Sequence, residues 1–152
     1  KRKGDNMSGL KLLALDEEDL NVVSAHMQDS VFKISEIEFD RRVGHLSLTA
    51  NRFVWESADE KGRPFERRKA ALVFKRVAGV KSVGVDRNNR EAVLDLLAIR
   101  FDVTGEGPEG AIELVLAGGA AIRLDVECIE VQLADIGGAW EARSRPQHSV
   151  DA

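Results

Sequence analysis

"AIELVLAGGAAIRLDVECIEVQL", residues 111–133, decides the fold. Apolar and polar residues alternate on both sides of a glycine pair. Period-two alternation marks a half-buried strand, and two such runs around a short Gly loop make a hairpin. The register follows. A three-residue loop, Ala117-Gly118-Gly119, puts Gly119 in the left-handed position such loops need. Leu114 then faces Ile122, Ile112 faces Leu124 and Glu113 faces Arg123. Shifting the pairing by one residue would set an apolar face against a polar one. Shifting it by two would put Glu113 opposite Asp125 and force Ala120 into the left-handed position. Strands joined this tightly are antiparallel, because a parallel pair needs a crossover of about a dozen residues or more.

Upstream of the hairpin stands a literal G-x-G-x-x-G, Gly105 to Gly110. The strand "AIELVLA" follows it, so no helix N-terminus is offered to a pyrophosphate, and Glu106 and Glu109 would repel one. It reads as a loop between strands. Before it, "EAVLDLLAIRFDV" has apolar residues on both parities: Val93, Leu97, Ile99, Phe101 and Val103 on one, Leu94, Leu96 and Ala98 on the other. That pattern predicts a strand covered on both faces. Asp95, near its start, is expected to be solvated.

Further back, "RRKAALVFKRVAGVKSVGV" reads as strand, broken at Gly79, and "VFKISEIEF" and "HLSLTANRFVWE" flank a turn at "DRRVG". In the latter strand Leu46, Leu48 and Ala50 share a face, but Phe53 and Trp55 fall on the opposite parity. This predicts a bulge near Asn51–Arg52. "LKLLAL" (10–15) reads as a short first strand.

Only one segment has helical spacing. In "LDEEDLNVVSAHMQDSVF" (15–32), Asp16 is a good N-cap, and Glu17, Glu18 and Asp19 fill the first turn, where the helix dipole favours negative charge. Leu15 and Leu20 have the spacing of a hydrophobic staple. Leu20, Val23, Met27 and Val31 form one face, predicting a helix over 16–30. Its carboxylates are thus explained by helix initiation, and His26 by the edge of the apolar stripe.

Composition narrows function mainly by exclusion. One cysteine, Cys128, rules out a disulfide framework and any multi-cysteine zinc site. It lies in a strand-like run between acids, which disfavours a thiolate. His26, His45 and His148 share no ligand spacing. The longest apolar run has nine residues, far below the roughly 20 of a membrane span. The N-terminus lacks the apolar region of a secretory signal. A cytoplasmic protein with no membrane partner is expected. Charge is uneven: residues 1–60 carry net −4, 61–90 net +8 and 91–141 net −9. Either the basic segment is neutralised by acidic strands, or it meets a polyanion.

Several runs in combination, "LKLLALDEEDLNVVSAHMQD", "NRFVWE", "ERRKAALVFKRV", "LDLLAIRF" and "AGGAAIRLDVECIEVQLADIGGAWEARSRP", resemble domain-of-unknown-function family 2948 over about Leu10 to Pro146. The resemblance implies a small cytoplasmic protein of bacteria, mainly alphaproteobacteria. It supplies no activity, cofactor or site.

The expected fold is α+β: one domain over 10–141 with loose ends at 1–9 and 142–152. Its curved, largely antiparallel sheet has about seven or eight strands, barrel-like or a sandwich, with the N-terminal helix packed on it. The expected function is a non-catalytic binding or interaction module with a protein partner, since nothing assembles a nucleophile, base and oxyanion site. No catalytic, cofactor-binding or metal-ligating residue is assigned, and no cofactor is expected. Alternatives are an RNA- or polyanion-binding protein acting through residues 61–90, and a small enzyme of undefined class. The expected binding face gathers Asn51, Arg52 and Trp55 with Arg67, Arg68 and Lys69, on strands that should pair.

Overall fold

The computed structural model describes residues 9–64 and 66–141. The ends expected to be loose, apart from Gly9, lie outside these residues. The elements are β1 (Lys11–Ala14), α1 (Glu17–Met27), β2 (Ser30–Lys33), β3 (Ile37–Asp40), β4 (His45–Phe53), β5 (Glu66–Phe74), β6 (Val77–Val83), β7 (Val93–Val103), β8 (Gly110–Leu116), β9 (Ala121–Val126) and β10 (Val131–Glu141). All pairings are antiparallel, in the order β1-β10-β5-β4-β2-β7-β8-β9-β6, with β3 also paired to β4. The fold is α+β, as expected.

The hairpin of 111–133 has the derived register: Glu113 opposes Arg123, Leu114 opposes Ile122 and Ile112 opposes Leu124. Gly118 and Gly119 both take φ of 80° in the Ala117–Gly119 turn.

Among the described residues the sheet has ten strands where seven or eight were expected, because three runs that look continuous are broken. A 3-10 turn at Ile34–Glu36 splits β2 from β3. Arg76, at φ 60°, splits β5 from β6, so the break lies before Gly79 and only a bulge falls between Val77 and Gly79. Residues 127–130 split β9 from β10, which puts Cys128 in a connection rather than a strand. The last two breaks answer each other. Lys75 N–H donates to Glu130 O at 2.9 Å, and Glu127 N–H donates to Arg76 O at 3.0 Å. Two long ribbons, β5–β6 and β9–β10, therefore pair and bend together.

This bend curls the sheet. β5 is third in the strand order and β6 is last, yet two residues join them. The sheet must fold back on itself, and it does so without closing. Among the described residues β6 pairs only with β9 and β3 only with β4. A single backbone bond, Val77 N–H to Gly44 O at 2.9 Å, spans the seam at one end.

β7 is not covered on both faces. A bulge between Leu96 and Ala98 shifts its phase. Leu94 and Leu96 before the bulge, and Ile99 and Phe101 after it, thereby join one inner face, while Val93, Leu97 and Val103 are exposed. α1 packs here. Asp16 Oδ1 accepts the Asp19 N–H at 2.8 Å, the expected cap. Leu20, Val23 and Met27 are buried, whereas Leu15 is 60% exposed and adds little as a staple. The helix ends at Met27, so Val31 belongs to β2. Ser24 Oγ accepts the Ile99 N–H at 2.9 Å, satisfying β7 beyond its pairing with β2.

Candidate functional site

β4 alternates without interruption: Leu46, Leu48, Ala50 and Arg52 are all buried. The bulge expected at Asn51–Arg52 is absent. The inward series simply continues into an arginine with no exposed surface. A buried guanidinium is tolerable only if paired and hydrogen-bonded, and all five donors of Arg52 are used. Nε donates to Asp135 Oδ1 at 2.8 Å and Nη2 to Asp135 Oδ2 at 2.9 Å. Nη2 also donates to Glu56 Oε2 at 2.8 Å, and Nη1 donates to Glu56 Oε1 and Phe53 O, both at 3.2 Å.

Asp135 Oδ2 accepts the Leu10 N–H as well, at 2.9 Å, and Arg68 Nε lies 4.0 Å away. Burial works against the charge of Arg52, but the hydrogen bonds to Asp135 and Glu56 outweigh it and hold the group protonated. Burial also opposes ionisation of Glu56, yet the Arg52 hydrogen bonds, with a backbone bond and the nearby His26, bring its pKa down to about 2. His26 Nδ1 is 3.3 Å from Glu56 Oε1, outside hydrogen-bond geometry. The Arg52 guanidinium thus spends every donor within the cluster. It ties β4 to β10 and, through Asp135, to the residue before β1.

The residues of the expected binding face come together but divide between the two sides of the sheet. β4 and β5 pair with Asn51 opposite Lys69, Arg52 opposite Arg68 and Phe53 opposite Arg67. Arg52 and Arg68 point inward to the clamp. Asn51, Lys69 and Arg67 lie on the outer side, where the Arg67 guanidinium sits 4.7 Å over the Phe53 ring. Trp55 is half-buried, edge-on to Phe53 at 5.9 Å, and its Nε1–H donates to Gln28 O at 3.0 Å. Trp55 thus ties down the C-terminal end of α1. Asp95 is half-buried rather than solvated, and burial, then the charge of Asp29, raises its pKa.

Among the described residues, three of the ten cations of the basic segment are paired. Arg63 pairs with Asp59, Arg68 with Asp135 and Glu66, and Arg76 with Glu127 and Glu130. The cations without an ion pair among the described residues include Arg41, Lys81, Arg87 and Arg90, and these four collect around one feature, the open seam. There a groove of about 510 Å³ runs between β3, β6 and the 84–92 loop. Ile37 and Phe39 from β3, Val80 from β6, Val85, Leu46 and Ile122 make its apolar floor, with Ile34 at one end. Arg41 lies 5.3 Å over the Phe39 ring. Among the described residues no carboxylate lines the groove. The neighbouring acids are engaged elsewhere: Asp40 accepts the Arg42 N–H, Asp86 the Asn88 N–H, and Glu91 the Lys33 ammonium at 2.9 Å.

Sequence reading missed this groove. The signals were the shared parity of Ile37, Phe39 and Arg41, and the arginines of "GVDRNNR". Neither stands out until β3 and β6 are known to border the same gap.

The protein is therefore an α+β protein built on one curled, unclosed antiparallel sheet, with an apolar, cation-rimmed groove along the seam. The model of the family described as "Protein of unknown function (DUF2948)" matches residues 10–148, and the chain belongs to that family. No curated protein and no solved structure matches it. Among the described residues no helix is long and apolar enough to cross a membrane.

Proposed function

We propose that the protein is a non-catalytic binding module and that the seam groove is its binding site. The observation that carries this reading is the groove itself. Its size lies within the roughly 300–1,000 Å³ of small-molecule sites, and its lining divides between an apolar floor and the polar groups of Arg41, Lys81, Ser82, Arg87 and Arg90. Among the described residues its lining offers no imidazole, carboxylate or thiol to act as base or nucleophile. The buried cluster around Arg52 spends all five of that guanidinium's donors on internal pairing.

The test is an amide-resolved NMR titration with small apolar probes. Shifts confined to β3, β6 and the 84–92 loop are expected, and they should vanish in a folded Ile37→Trp variant that fills the floor. Shifts elsewhere only, or retained in that variant, would remove the reading.

A second reading concerns a protein partner. The outward half of the expected face, Asn51, Arg67 and Lys69 with Trp55, is a cationic and aromatic patch, the composition enriched in interface hot spots. Arg67→Glu with Lys69→Glu is its test, because both residues can change without touching the Arg52 clamp. A purified partner that binds this double variant as tightly as the wild type would sink it.

A further inference from the structure

We infer that the ligand of the seam groove is a small amphipathic anion: an apolar tail carrying a carboxylate or phosphate head. This rests on the groove being the binding site. Two features of the groove point the same way. Its floor is apolar and includes Leu46 and Ile122, both almost fully buried. An apolar tail laid there leaves water at no cost to any polar group. Its rim is cationic on both banks: Arg41 stands in the turn after β3, Lys81 on β6, and Arg87 and Arg90 in the loop that connects β6 to β7.

The sign of the rim is not an accident of local composition. The chain carries net −4, and acids lie close by in sequence at Asp40, Asp86 and Glu91. Each of them accepts a turn N–H or the Lys33 ammonium, and none is among the residues that line the groove. Four like charges around one mouth repel each other, and among the described residues none of the four has an ion-pair partner. A bound anion would relieve that repulsion, and guanidinium groups match the planar, forked acceptors of carboxylate and phosphate. Arg41, stacked on Phe39, joins the two parts: the same side chain covers the floor and presents charge at its edge.

The experiment is a calorimetric and NMR titration of the intact chain with decanoate, decyl phosphate, decanol, decyltrimethylammonium, inorganic phosphate and a single-stranded oligonucleotide. Decanoate or decyl phosphate should bind at least about tenfold tighter than decanol, the loss expected for one charge-assisted hydrogen bond. Comparing the two anions separates a carboxylate from a phosphate head. Arg87→Glu with Arg90→Glu should abolish that advantage and leave decanol binding unchanged. Both side chains are exposed, so the variant should fold, and Arg41→Gln is a milder second variant.

Equal binding of anionic, neutral and cationic probes would overturn the anion inference while leaving the groove as the site. Binding of free phosphate or oligonucleotide as tightly as decyl phosphate would overturn it in favour of a polyanion. No shift at the seam with any probe would overturn both this inference and the groove as binding site.

Discussion

Arg52 shows what one residue does when its position is dictated by the sheet. Its neighbours two and four residues back are buried alanine and leucine, so alternation carries it inward whatever its charge. Asp135 and Glu56 make this tolerable, and their roles differ in depth. Asp135 has no exposed side-chain surface, whereas that of Glu56 is 39% exposed. Removing Arg52 would leave Asp135 buried and uncompensated, so Arg52→Met is expected to cost about 3–5 kcal/mol. Glu56→Gln should cost under about 1 kcal/mol, since an exposed partner is rehydrated. Urea denaturation compares them, and equal losses would show that Asp135 is not the main partner.

Two carboxylates give opposite pH dependences. In the fold the pKa of Glu56 is about 2, against an ordinary 4.5. Its contribution is therefore present above 4.5 and lost as pH falls toward 2. Asp95 is raised from 3.8 by burial and by Asp29, so the fold loses stability as pH climbs past that value and the group must ionise. Asp95→Asn should raise the melting temperature at neutral pH and change it little at pH values where Asp95 is protonated. A neutral-pH melting temperature at or below the wild type would refute this.

Among the elements, those set by local chemistry were legible in the sequence, and those set by a distant partner were not. The β8–β9 hairpin was readable because a buried face and a glycine turn specify one register. The start of α1 was readable from Asp16, and Asp16→Ala should cost about 1 kcal/mol in thermal or urea unfolding. No loss would mean that the Asp19 N–H finds water equally well. The phase of β7 was not readable, because its bulge at Leu97 exists to satisfy both β2 before it and α1 after it. The apparent slip at Asn51–Arg52 arose from taking Phe53 and Trp55 as the continuation of the inward face, whereas Arg52 keeps the inward parity of Leu46, Leu48 and Ala50. What permits this is Asp135, 83 residues away. The candidate groove was hidden for the same reason: its two banks are brought together only by the bend at Arg76.

At the scale of the molecule, that bend sets where the sheet is weak. β5 is paired on both sides along nearly all its length, with β4 and β10, and β8 is paired with β7 and β9. Their inward residues, Ala70, Leu72 and Phe74 in β5 and Ile112, Leu114 and Leu116 in β8, are almost fully buried. β3 and β6, by contrast, each have one paired side among the described residues, and half or more of their residues are exposed or half-exposed. Amide exchange from a native protein tracks local opening, which is easiest where pairing and burial are least. The amides of β3 and β6 that point into the seam should therefore exchange fastest within the sheet, and those of β5 and β8 near the global unfolding limit. The exception should be Val77, whose N–H is bonded to Gly44 O across the seam. Hydrogen–deuterium exchange resolved by NMR reads this directly. Protection in β6 equal to that in β5, all along Val80–Val83, would mean that the seam is paired in solution and that no open groove runs between β3 and β6.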